Sequence, residues 1–225
     1  MTDRGFQLQT VVVGDQPAAW ERAGFVMHGA TTRIGSTTIV CLPEAGPGIV
    51  AVAINGLTEP INDLPLGAAV VAAPPPTQPH PNRVTGFDHL VALSPSIDRT
   101  STALQRAGLE RRRSREFAFG AETRRQDFFW LGDVILELAG VVAATGASPG
   151  SEPDSSPESD APDEPASFWG LALECDDLDA AAGELGAGLG RIKEAVQPGR
   201  RIATIRTQEL GLSVPIALMS PHLKA

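Results

Sequence analysis

A histidine interrupts the apolar run GFDHLVAL (86–93), and a glutamate interrupts DVILEL (133–138). Side chains alternate along a strand, so His89 is expected to share a face with Phe87, Val91 and Leu93. Val134, Leu136 and Leu138 alternate away from Glu137, which leaves its carboxylate on the face opposite the apolar one. Burying either group costs free energy unless it finds a partner. One reading is a core histidine, hydrogen-bonded to Glu137 or to a backbone carbonyl. The other is a pair of groups lining a pocket.

Arginines form the second set of candidates. In RRRSRE (111–116), period two puts Arg111, Arg113 and Arg115 on one face, which reads as a solvated strand edge that charge protects from further pairing. In QPGRRIATIRT (197–207), Arg200, Arg201 and Arg206 fall in an expected hairpin. A guanidinium fork there would clamp a carboxylate or phosphate, and Arg201 and Arg206 are the ligand-binding candidates. The glycines of GELGAGLGRI (183–192) lie at a helix end, whereas a dinucleotide loop joins a strand to a helix start. His28, His80 and His222 have no partners at catalytic spacing, and no Ser/His/Asp arrangement is visible.

The elements that must position these residues occur in three related blocks, about 6–58, 86–140 and 168–220. Each opens with a strand that runs into a helix-capping residue: LQTVVVG before Asp15, FDHLVAL before Ser94 and Ser96, WGLALEC before Asp176 and Asp177. The second helix follows apolar spacing through Ile97, Thr100, Ser101, Leu104 and Ala107 and stops at Gly108. The third does so through Leu178, Ala181, Ala182, Leu185 and Leu189. About three strand-like runs follow each helix. The repeating unit is β-α-β-β-β, an α+β arrangement in which each helix covers one sheet face. The organisation expected is an N-terminal module over 1–60, a Pro-rich linker over 61–85, modules over 86–144 and 168–225, and an acidic disordered linker over 145–167. Within the first linker, APPPTQPHPN should be a stiff, extended spacer.

Composition narrows the function classes. Of the 225 residues 20% are charged, with a formal net charge of −9. Six acids and no Lys or Arg sit in 145–167, so the rest of the chain carries only −3. Nothing in that balance points to nucleic acid or to an anionic membrane. Cys41 and Cys175 lie far apart in apolar runs, with no metal or disulfide spacing. They are expected as buried free thiols, which suits a reducing cytoplasm. No apolar leader or bilayer-length run stands out in the sequence.

The stretches FDHLVALSPSIDRTSTALQRAGL, FFWLGDVILELAG and WGLALECDDLDAAAGELG resemble the vicinal oxygen chelate superfamily, which includes glyoxalase I, bleomycin-resistance proteins and extradiol dioxygenases. The resemblance implies β-α-β-β-β modules used in pairs, so that blocks two and three close an open, barrel-like cup, with the first block as an additional module. It also implies a divalent metal held by the first and last strands of each module, with His89 and Glu137 as ligands and Glu137 as the catalytic base. In the third block the corresponding positions fall on Gly170 and Ala217, which cannot bind a metal, so the ligand set is incomplete. Gly170, Pro215 and Ala217 would instead open space for a ligand. Glu174 lies about 13 Å along the strand from Gly170, and Gln9 and Asn55 occupy the matching positions of the first block.

The function these observations favour is a glyoxalase-like small-molecule-binding protein with a degenerate metal site. It would hold a small oxygen-rich metabolite or antibiotic with no cofactor or with a weakly bound divalent ion. The alternative is a metal-dependent lyase, isomerase or dioxygenase-type enzyme. An unpaired third module would be relieved most simply by a homodimer.

Overall fold

The computed structural model describes residues 5–57, 61, 63–67, 75–120, 122–142 and 164–222. Most of the acidic segment, 145–163, lies outside the described residues. The first half begins with β1 (Gln7–Val13) and α1 (Pro17–Arg22), followed by β2 (Thr31–Ile34), β3 (Thr37–Cys41), β4 (Ile49–Asn55) and the short β5 (Leu66–Gly67). The second block contains β6 (Val84–Ser94), α2 (Ile97–Arg106), β7 (Arg111–Phe119), β8 (Glu122–Leu131) and β9 (Val134–Val141). The third contains β10 (Ser167–Cys175), α3 (Leu178–Leu185), β11 (Lys193–Glu194), β12 (Arg201–Thr204), α4 (Thr207–Leu210) and β13 (Ile216–Met219).

Blocks two and three share one eight-stranded sheet, in the order β11-β12-β13-β10-β6-β9-β8-β7. Its two halves are the same unit. In each, the first strand runs parallel to the last (β6 with β9, β10 with β13), and the two first strands meet antiparallel at the centre. The edges β7 and β11 do not pair with each other, so the sheet is open and no barrel closes. The expected α+β architecture of repeated modules, two of them paired, is the one observed.

Local chemistry sets the helices. The Asp177 carboxylate caps α3 by accepting from the amides of Asp179 and Ala180. At α2 the N-cap Ser96 makes no side-chain cap; Ser94, two residues before it, accepts from the Ser96 amide through Oγ and bonds Thr100 Oγ1. Ile97, Leu104, Leu178 and Ala181 are fully buried against the sheet, where aliphatic burial supplies the main favourable term. Cys41 and Cys175 are buried and unpaired.

The first half forms a separate five-stranded sheet, β2-β3-β1-β4-β5. Its element order matches the other blocks, but its pairing is instructive. β1 runs parallel to β3 and antiparallel to β4, and β4 runs parallel to β5. That is the centre of the larger sheet in miniature, with β4–β5 in the position of a second, truncated unit.

The Pro-rich stretch is not a free spacer. His80 and Asn82 are buried, the His80 ring accepts from the Val26 amide, and Asn82 donates to the Ala23 carbonyl. The end of the acidic segment is also ordered: Ala166 is buried and donates to the Asp63 carbonyl, and Ser167 already belongs to β10. Polar composition hid both attachments. No helix among the described residues is long and apolar enough to cross a membrane.

Candidate functional site

Two bulges organise the cup. Along β6 and β10 the register skips Asp88 on one strand and Trp169 on the other. A bulge resets the alternation of side chains. Phe87 therefore pairs with buried Leu173 on the helix-covered face, while His89 pairs with Ala172 on the concave one. The shared face expected for Phe87 and His89 does not form, for that reason.

The residue after each bulge is His89 in one unit and Gly170 in the other. Two residues further on, Val91 stands beside Glu137 and Ala172 beside Ala217. Gly170 and Ala217 therefore occupy the positions that His89 and Glu137 occupy across the pseudo-twofold. Neither lines the cavity, and Gly170 does not open space. A Cβ there would sit 2.8 Å from the Pro215 carbonyl oxygen, which accepts the Leu171 amide. The position is closed by backbone.

His89 and Glu137 do converge. His89 Nε2 lies 3.9 Å from Glu137 Oε2, too far for a direct hydrogen bond. The other imidazole nitrogen, Nδ1, is 2.7 Å from Asp88 Oδ1. A carboxylate only accepts, so Nδ1 carries a proton toward Asp88, and Nε2 faces Glu137. Glu137 Oε1 accepts from Gln126 Nε2, which leaves Oε2 facing the cavity. His89 Nε2 and Glu137 Oε2 thus look at the same space.

Asp88 is itself held from behind. Arg200, 1% exposed, brings Nη2 to 2.5 Å from Asp88 Oδ2. Arg200 Nε donates to the Ser220 carbonyl at 2.7 Å, and Nη1 lies 3.1 Å from His222 Nε2. Burial pushes the Asp88 carboxyl up, but the hydrogen bonds and charges of His89 and Arg200 outweigh it and hold the group below its ordinary range. The sequence pointed to this hairpin for the wrong arginines. Arg201 points outward to Asp179 of α3, at 2.9 Å, and Arg206 pairs with Glu209. Neither lines the cavity, because alternation along the strand sends the neighbour, Arg200, inward.

The cavity holds about 620 Å³. His89 and Glu137 lie on its floor with Phe128 and Trp130 of β8. Val196, Pro198, Ile202 and Met219 form an apolar wall from the third block. Arg113 and Arg115 enter from β7, also missed as site residues. The signal was present in the period-two spacing of RRRSR, but a register shift at Arg112 separates Arg111, which turns to buried Asp127, from the other two.

A divalent ion is what the fold leads one to test. The donors available are His89 Nε2 and Glu137 Oε2, with Gly170 and Ala217 at the other two positions. Glu174 falls beside Gly86, and Gln9 and Asn55 lie exposed on β1 and β4 in the other sheet. Among the described residues no group of three His, Cys, Asp or Glu side chains converges. This set does not fit a three-ligand metal centre.

Paired β-α-β-β-β units around an open cup define the vicinal oxygen chelate fold, and this chain has it. A triple mutant of 4-hydroxymandelate synthase from Streptomyces coelicolor superposes with a TM-score of 0.60 at 11% identity, covering 97% of this chain and 93% of that one. A xylose isomerase-like TIM barrel/4-hydroxyphenylpyruvate dioxygenase fusion protein gives 0.59 at 12% identity over 97% of this chain and 49% of its own. Methylmalonyl-CoA epimerase from Mycobacterium tuberculosis, 18% identical, aligns over 63% of this chain and 91% of its own with a TM-score of 0.42. No protein-family model and no curated protein sequence matches the chain.

Proposed function

We propose that the chain is a glyoxalase-like small-molecule-binding protein whose metal site has degenerated, and that the cup between β6–β9 and the third block holds its ligand. The observation that carries this reading is the pair Gly170 and Ala217 opposite His89 and Glu137, with Gly170 shut by the Pro215 carbonyl. Two anchored donors leave most coordination positions to water, so a divalent ion binds weakly and exchanges readily. Asp88 and Arg200 nevertheless fix the His89 ring, a supporting shell that suits recognition of a polar ligand group between Nε2 and Oε2. Glu137 Oε2 is the atom placed to accept a proton from a bound molecule, which is the role Glu137 would play in a catalytic descendant of this site. The metal-dependent lyase, isomerase or dioxygenase reading asks for more donors than the cup supplies. A homodimer belongs to the same proposal, as does a cytoplasmic setting for two buried free thiols.

Calorimetric titration with Zn²⁺, Ni²⁺ and Mn²⁺, on the wild type and on His89→Ala, tests it. Weak, unsaturated heats are expected for all three ions. Tight one-to-one binding that disappears in His89→Ala would overturn the degenerate-site reading.

A further inference from the structure

The other arginines of β7 and β8 are neutralised by neighbours. Arg111 pairs with Asp127, Arg112 with Glu110, Arg124 with Glu122, and Arg125 with Asp98 and Asp127. Arg113 and Arg115 have no such carboxylate among the described residues, and both line the cavity. Their guanidinium carbons lie 6.0 Å from the Phe128 ring centre and 5.1 Å from that of Phe117. The arrangement leaves their forks unengaged by any opposite charge.

Register fixes where they stand relative to the floor. Arg113 pairs with Phe128, and Phe128 pairs with Glu137, so the three form one row across adjacent strands. Two strand spacings put the cationic wall about 10 Å from the Glu137 backbone. Between them lies an aromatic surface, and Ile202 and Met219 complete the apolar side. An anion is drawn to the β7 end and repelled from Glu137, while a hydrogen-bond donor is favoured at the Glu137–His89 end.

Resting on the small-molecule reading above, we propose that Arg113 and Arg115 clamp the carboxylate or phosphate of a flat, apolar-bodied ligand. The ligand lies along β8 with its other end toward Glu137 and His89. The bidentate geometry of arginine suits a planar or tetrahedral oxyanion. The clamp is distinct from the Arg201 and Arg206 side of the molecule, whose guanidinium groups are taken by Asp179 and Glu209.

Calorimetry on the full chain with 2-naphthoate, neutral 2-naphthamide and phenyl phosphate decides the matter. The acid, the phosphate or both should bind about tenfold tighter than the amide, and the stronger of the two names the headgroup. In the Arg113→Gln/Arg115→Gln double variant that advantage should fall to about twofold or less with an unchanged Tm, because both side chains are exposed. Arg201→Gln/Arg206→Gln should keep it. Equal binding of acid and amide would overturn the clamp while leaving the cup as a binding site, as would a charge preference that survives in the double variant. Binding of none of the three probes would overturn both readings. A tight metal site with the charge preference intact would overturn the degenerate-site reading alone.

Discussion

Asp88 is the residue on which the site's geometry turns. It is buried, accepts from His89 Nδ1 and balances Arg200. Removing one member of a buried ion pair strands the other, at about 3–5 kcal/mol. Arg200→Met should therefore destabilise by roughly that amount in denaturant melts, whereas Arg201→Met, on an exposed pair, should leave the melt essentially unchanged. The pH dependence has a definite sign. The folded Asp88 carboxyl titrates below its ordinary value, so the unfolded chain binds more protons as pH falls through the carboxylate range. Its stabilisation is complete above the ordinary value of about 4 and is lost as pH drops through the folded one. Asp88→Asn should flatten that part of the acid limb in Tm against pH; an unaltered limb would show that Asp88 does not contribute. His89 and Glu137 are readable as a pair from the family resemblance; strand period alone puts His89 on the face of Phe87, and the bulge at Asp88 reverses that. Arg200 was not separable from Arg201, because no residue in QPGRR fixes the phase of the strand that follows.

At the scale of elements, bulges and tight backbone approaches decide what the strands can present. The Gly170 position is the clearest case. Adding a methyl group there places it 2.8 Å from the Pro215 oxygen, a backbone atom that cannot rotate away. Gly170→Ala should cost about 1–3 kcal/mol, in the range of overpacking changes, and thermal melts would register it. Gly170→His should consequently fail to rebuild a metal site, whatever the ligand chemistry of imidazole. The β-α-β-β-β units were legible from their strand, cap, helix and glycine succession. Asp177 does cap its helix, while Asp15 instead accepts from Trp20 Nε1 and from Ser213. The Asp88, Trp169 and Arg112 register shifts were not legible, since a bulge inserts one residue without altering the apolar pattern enough to reveal it.

At the scale of the whole molecule, the two sheets are joined by specific polar contacts. His80, from the proline-rich stretch, accepts the Val26 amide at Nδ1 and contacts the Arg33 carbonyl through Nε2. That pattern needs a neutral ring, one nitrogen accepting and the other donating. Burial lowers its pKa, and the Arg33 carbonyl only partly offsets this. Between the ordinary value of about 6.5 and the lower folded one, the unfolded chain is protonated and the folded chain is not. Stability should thus decline as pH falls below about 6.5, and His80→Gln should remove that decline in Tm measured from pH 8 to 5. A wild-type profile flat across this interval would count against the role. Nothing in the sequence marks this docking, because proline and polar residues specify an extended path but not what it lies against.

One of those cross-chain contacts bears on the order of folding. The Asp15 carboxylate accepts from the amide and hydroxyl of Ser213, and Arg22 donates to the Leu210 carbonyl, links spanning 198 and 188 positions. The central β6–β10 seam likewise joins strands from separate blocks. Closing such long loops is entropically unfavourable until the contacts at both ends can form, and chains dominated by non-local pairings fold slowly. During synthesis the α1 corner is made early, yet its partners in 207–213 emerge nearly two hundred residues later. The links of Asp15 and Arg22 must therefore wait until 207–213 have left the ribosome, although β1 to β5 of the smaller sheet all lie within residues 7–67.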